Sequence, residues 1–137
     1  MNSFESILDF LISKKKPESF CRYYIYFIEC NGRYKIGSTS DMKSRFTALQ
    51  TSNPSQIHVA HVIPIPFTYS HSQIEKSLHV IFGNYKVRGE WYNLTQVDIE
   101  RIKAVSIDVI LQIAEKMTRL EEIKNSNQLA FDFIQEK

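Results

Sequence analysis

Two runs rich in aromatic and β-branched residues, Arg22 to Cys30 and Arg33 to Ser38, are separated only by Asn31-Gly32. A type I′ turn needs positive φ at both central positions, and Asn-Gly accepts that at little steric cost. The dipeptide therefore predicts a tight β-hairpin, and a two-residue loop fixes its register by counting. Cys30 falls opposite Arg33, Ile28 opposite Lys35 and Tyr26 opposite Gly37. Side chains alternate between the faces of a strand, so Tyr24, Tyr26, Ile28, Lys35 and Gly37 share one face. Tyr23, Ile25, Phe27, Tyr34 and Ile36 share the other, which is apolar except for Glu29. The apolar face is the expected core. The other face is polar, aromatic and cationic.

The rest of the chain reads as helices and one more strand around this hairpin. Apolar residues recur at helical spacing from Phe4, with Ser3 as cap and Pro17 as stop, which predicts an accessory helix over 3–16. Thr39 or Ser40 is the expected cap of a helix over 41–50, whose inner stripe is Met42, Phe46 and Leu49 and which Asn53-Pro54 ends. Ile57 to Ile63 alternates as a third strand, closed by Pro64 and Pro66. Ser72-Gln-Ile-Glu75 has the form of a capping box opening a helix through Phe82. Gly89 to Leu94 suits a short strand. Thr95-Gln-Val-Asp98 is a second capping box, opening a helical region to Lys124 with a break near Ser106. Residues 125–137 carry no clear periodicity. The expected fold class is α+β: a small three-stranded antiparallel sheet flanked by helices, with extra N- and C-terminal helices.

At 137 residues the chain is expected to form one domain with a single modest core. No stretch has the roughly 18 uncharged apolar residues of a membrane span. The first apolar stretch holds Glu5 and Asp9 and is followed, not preceded, by lysines, unlike a signal peptide. Cys21 and Cys30 have neither the number nor the spacing of a metal knuckle or disulfide scaffold, and read as reduced thiols in a cytoplasmic protein. The net charge of +2 is unevenly spread. Residues 22–92 carry eight basic against four acidic side chains and all four histidines, whereas residues after 92 carry six against eight. That distribution suits an anionic partner such as nucleic acid.

Four segments carry polar side chains at suggestive spacing: Tyr24-Ile-Tyr26 with Tyr34-Lys-Ile-Gly37, Asp41-x-x-x-Arg45, Glu75-x-x-x-His79, and Gly89-Glu-Trp-Tyr92. Each alone has an ordinary reading. Tyr26 is a good strand former, Lys35 and Arg45 suit solvated surfaces, and Glu75 has a capping role. His79 suits a partly buried helix face, Trp91 suits a core or a lid, and Glu90 a second acid or a cap partner. Taken together and in order, the segments resemble the GIY-YIG nuclease superfamily. The wording is most similar to the branch typified by phage T5 orf172 and meiotically up-regulated 113 domains, which read Y-x-Y, Y-K-I-G, R, E-x-x-L-H and G-E-W-[FY]. The resemblance spans residues 23–94. It implies a nuclease domain over 22–94, preceded by the accessory helix of 1–21 and followed by a helical extension over 95–124 and a tail over 125–137. It also implies catalytic roles for Tyr26, Lys35, Arg45 and His79, a metal-ligand role for Glu75, Mg²⁺ as cofactor with Mn²⁺ as a substitute, and DNA as partner. Tyr24 stands where founding members have the glycine of the first triplet, and Lys35 where they have the tyrosine of the second. Lys43, Lys76 and Arg88 are the expected DNA contacts.

The chemistry accounts for these residue types independently. Phosphodiester hydrolysis needs an activated water, stabilisation of charge on the phosphorus oxygens and help for the leaving oxygen. Glu75 is a hard oxygen ligand suited to Mg²⁺, and the planar fork of Arg45 suits a phosphate. Tyr26 is the expected general base. Lys35, diagonal to it on the same face, is the expected cation favouring phenolate, with Gly37 leaving space for close approach. His79 is the next candidate base. The leading function is a metal-dependent DNA endonuclease with a GIY-YIG-type single-metal site. Two other readings stand beside it: a DNA-binding module with a degenerate nuclease site, and an interaction protein whose sheet face docks another protein. Steep salt dependence would separate phosphate binding from the last. The tail Gln128 to Phe133 loosely resembles the short Gln-Leu-x-Leu-Phe peptides that dock on the bacterial sliding clamp; the other reading is an amphipathic end folded back on the domain. DNA preference and oligomeric state stay open.

Overall fold

The computed structural model describes residues 21–135; the expected helix over 3–16 lies outside them. Strand β1 (Cys21–Cys30) turns through Asn31-Gly32 into β2 (Arg33–Thr39). Asn31 and Gly32 have φ of 52° and 82°, the left-handed pair that the turn demands. Gly32 N–H also donates to the Glu29 carboxylate at 2.8 Å, which gives the one acid on the apolar face a partner in the loop. The register is the counted one: Cys30 pairs with Arg33, Ile28 with Lys35 and Tyr26 with Gly37.

Helix α1 (Met42–Thr51) follows, then β3 (His58–Pro66), α2 (His71–Ile81), a 3₁₀ turn at Gly83–Tyr85, and two short strands, β4 (Lys86–Arg88) and β5 (Trp91–Tyr92). Helices α3 (Gln96–Lys103) and α4 (Ile107–Gln135) complete the described chain. The sheet has five antiparallel strands in the order β3-β1-β2-β5-β4, not three. The additions come from β4 and β5, which are three and two residues long and leave little alternation to read. Strand β3 runs through Pro64 and Pro66 instead of stopping before them. It is an edge strand, where a residue without an N–H is tolerated.

Both faces of the central hairpin are buried, the polar and aromatic one as well as the apolar one. Ile25, Phe27, Tyr34 and Ile36 pack with Ile74 and Leu78 of α2 and with Tyr92 in the larger cluster. On the other face, Tyr26, Ile28 and Cys30 pack with Met42 of α1 and with Val59 and Val62 of β3, flanked by Phe46 and Leu49. The stripe read on α1 is what covers this face. Among the described residues, neither face of the central hairpin is bare.

Three helix starts are informative. Asp41, not Thr39 or Ser40, caps α1 by accepting from Ser44 N–H at 3.1 Å, because β2 continues through Thr39. Ser70, not Ser72, caps α2 by accepting from Gln73 N–H at 3.2 Å. A turn in which Tyr69 N–H donates to the Pro66 carbonyl delivers Ser70 in extended conformation, so the helix begins earlier than its Ser72-to-Glu75 spacing suggests. Glu75 is thereby released from capping. The Thr95–Asp98 box does form at α3, and the break near Ser106 separates α3 from α4. Helix α4 is 29 residues long, packs its first half on α2, and takes in the tail segment from Gln128 to Phe133. Residues 118–130 of α4 are all exposed, Leu120 and Leu129 at 66% and 70%. Among the described residues no helix is long and apolar enough to cross a membrane.

Candidate active site

The end of β2 is where the polar segments meet. Tyr26 lies opposite Gly37, and a Cβ built on Gly37 would stand 2.4 Å from the Tyr26 hydroxyl oxygen. Glycine here makes room for the phenol itself, where the sequence suggested room for an approaching phosphate. Tyr26 is fully buried at 0% exposure, and its hydroxyl oxygen accepts from Arg45 Nε at 3.1 Å. Arg45 comes from the exposed side of α1, one turn past the Asp41 cap. Its guanidinium pKa is raised further above its already high ordinary value, first by the hydrogen bond to Tyr26 and then by charge, with Glu90 and Glu75 contributing. Arg45 therefore lies within electrostatic range of both carboxylates.

On the other side of the same strand end, Ser38 shares the parity of Ile36 and points toward α2. Its hydroxyl donates to Glu75 Oε1 at 2.6 Å. The second oxygen of Glu75 lies 3.3 Å from His79 Nε2, one helical turn on. His79 Nδ1 is in close hydrogen-bond contact with the Tyr92 hydroxyl. Burial, then Glu90 and Glu75, push the Tyr92 phenol above its ordinary pKa, so it stays protonated beside Nδ1.

Glu90 closes the group. Gly89 has φ of 56°, a left-handed turn between β4 and β5 that leads Glu90 alongside the middle of β2, where its carbonyl accepts from Ile36 N–H at 3.1 Å. Ligand atoms of Glu75, His79 and Glu90 all lie within 4.8 Å of one another. Two carboxylates and an imidazole nitrogen form a mixed oxygen and nitrogen donor set, which fits a divalent cation of the Mg²⁺ or Mn²⁺ kind. They border an open cleft of about 570 Å³ that Lys76, Lys86 and Tyr92 also line.

Lys35 keeps its expected face but not its expected neighbour. Its ammonium donates to Glu90 Oε1 at 3.0 Å and stands 5.8 Å from the centre of the Trp91 ring. The cation at the Tyr26 oxygen is Arg45, because a carboxylate at the end of β5 draws the flexible lysine stem away. Of the expected DNA contacts, Lys76 lines the cleft, Lys43 is exposed on α1, and Arg88 is exposed on the edge strand β4. Ser38, Tyr92 and Lys86 were not singled out from sequence for any site role. For Ser38 the usable signal was its parity with Ile36; Tyr92 was already part of the Gly89-to-Tyr92 motif.

The model of the T5orf172 domain family matches residues 23–118. That domain is related to GIY-YIG-like endonucleases and is compatible with a nuclease or DNA-binding role. Neither a curated protein nor a solved structure matches the chain.

Proposed function

Because the chain belongs to the T5orf172 domain family, we propose that it is a metal-dependent DNA endonuclease with a GIY-YIG-type single-metal site. The observation that carries this reading is the convergence of Glu75, His79 and Glu90 within 4.8 Å, beside an arginine whose charge feels both acids. Glu75 is the principal ligand for Mg²⁺ or Mn²⁺, with Glu90 and His79 completing the protein's share. When bound, the cation supplies positive charge at the phosphate and acidifies a water.

The chain's own groups do the rest. Arg45 is held by Tyr26 through Nε, which leaves its terminal nitrogens to take a phosphate oxygen and stabilise charge as it develops. Ser38 fixes the Glu75 carboxylate, and Tyr92 fixes the His79 ring. Lys76 and Lys86 line the cleft along which the DNA backbone approaches. Tyr26 is assigned as the general base, with the Arg45 guanidinium hydrogen-bonded to its oxygen. Its complete burial favours a second role for the same residue, in which it positions Arg45 and His79 takes the proton.

The decisive experiment is nicking of supercoiled plasmid with and without Mg²⁺, wild type beside Glu75→Gln. Glutamine keeps an oxygen for Ser38 and is not needed as a cap, so the fold persists. The expected result is metal-dependent nicking by the wild type and none by the variant. Equal nicking by both overturns the metal assignment. Salt-sensitive DNA binding by a wild type that never cuts identifies a DNA-binding module with a degenerate site. We place the protein in the cytoplasm, where its two free cysteines stay reduced.

A further inference from the structure

On the α1 side of the sheet, one residue from Glu90, lies a second recess that the hydrolytic site does not use. Its volume is about 240 Å³. Ile28 and Ile57 form a buried apolar floor, Leu49 of α1 forms one wall and Trp91 lies opposite. The rim is polar: Lys35 stands over the indole, and Asn53 closes the end beyond α1. The Asn53 side-chain oxygen is already engaged, accepting from Ser55 N–H at 3.1 Å and from the Cys30 thiol at 3.7 Å. Its amide NH₂ is the group left to donate.

An apolar floor, an aromatic wall, a cation at the rim and a fixed amide donor are the means by which proteins hold an unstacked base. The recess falls below the roughly 300–1,000 Å³ of drug-sized ligand pockets, which suits one planar ring system and excludes a base pair. Lys35 is shared between the recess and the site, because its ammonium lies 3.0 Å from Glu90, itself in the metal-ligating group. A phosphate at Arg45 and Glu75 thus has the recess within the reach of its own nucleotide.

We propose that this recess is a slot for a single unpaired nucleobase beside the cut phosphate, so that the preferred substrate is DNA with unpaired nucleotides at the cleavage point. The proposal rests on the nuclease reading and specifies its substrate. The base lies between Trp91 and Leu49, with Asn53 donating to its edge and Lys35 contacting the adjoining phosphate.

Trp91 is the only tryptophan in the chain, so its emission reports on the slot alone. The test titrates the full chain, with Ca²⁺ replacing Mg²⁺, with a single-stranded oligonucleotide labelled at one end. Label anisotropy and Trp91 emission are followed together. The expected result is quenching of Trp91 emission by at least half, in step with the anisotropy. An abasic position scanned along the strand abolishes the quench at one place and raises Kd there about tenfold. Intact duplex of the same sequence binds without quenching. Leu49→Phe, checked for folding by circular dichroism, fills the slot and loses the quench. Saturating anisotropy with unaltered emission overturns the slot and leaves the nuclease reading standing, as does equal quenching by duplex. Absence of any anisotropy change with both the single strand and the duplex overturns both.

Discussion

The Tyr26 hydroxyl oxygen occupies the space that a side chain at position 37 would need: a Cβ on Gly37 would come within 2.4 Å of that oxygen and 2.6 Å of the ring carbon that bears it. Strand pairing places the two residues directly opposite each other, so neither can yield without opening the hairpin. Gly37→Ala is therefore expected to cost about 1–3 kcal/mol of stability, in the range of overpacked cores. It should also swing Arg45 off its anchor and lower nicking by at least about tenfold. Urea melts and plasmid nicking read the two effects. Adding Tyr26→Leu should restore stability without restoring activity, a non-additivity expected of residues in direct contact.

Ser38→Ala tests whether Glu75 must be held. The hydroxyl donates at 2.6 Å to one carboxylate oxygen, and partners of this kind typically contribute about 10- to 100-fold in metal affinity or activity. The Mg²⁺ concentration for half-maximal nicking should rise by about tenfold, with the melting temperature nearly unchanged. An unaltered metal midpoint would reduce Ser38 to a surface hydrogen bond.

Lys35→Met separates two roles for one cation. Paired with Glu90, Lys35 competes with a metal for that carboxylate. Its removal should lower the half-maximal Mg²⁺ concentration a few-fold and weaken DNA binding modestly, while the pH–rate profile keeps its shape. A profile displaced along the pH axis would restore the coupling between Lys35 and Tyr26 expected from their shared face. Tyr26→Phe should abolish any alkaline rise in rate if the phenol is the base, and leave the rise in place, at a lower plateau, if Tyr26 only positions Arg45.

His61 gives a stability prediction free of catalysis. Burial, then the charge of Lys103, lowers its pKa from the usual 6.5 to about 4. The unfolded chain therefore binds this proton first as pH falls. The contribution is complete above about pH 6.5, is lost between there and pH 4, and amounts to about 2 kcal/mol after allowing for partial exposure. His61→Leu should flatten that part of the urea-midpoint profile relative to wild type, the difference between the two curves isolating His61 from carboxylates that titrate nearby.

The hairpin was legible because local chemistry dictates it: only a turn with two positive φ angles joins those runs, and register then follows by counting. The members of the site were legible as motifs, but their partners were not. Glu75 looked like a cap because Ser72 stands three residues before it, and only the turn from Pro66 to Ser70 shows that the helix starts earlier. Ser38 to Glu75 and Lys35 to Glu90 are separated by 37 and 55 residues, a distance that no periodicity bridges. The covered second face had the same origin. The stripe of Met42, Phe46 and Leu49 announced that α1 packs on something, without saying on which side of the sheet.

Helix α4, at 29 residues, is about 43 Å long, yet every residue from 118 to 130 is exposed. Backbone hydrogen bonds with no tertiary cover open at small free-energy cost, since an isolated helical stretch of this length is marginal in water. Amide hydrogen exchange should therefore divide the helix: slow around the buried Ile110 and Ala114, and fast beyond Thr118. Gln128 to Phe133 lies in the fast half. A partner reading that segment as an unwound peptide would find it released by local opening, with the sheet and its packed helices still folded behind it.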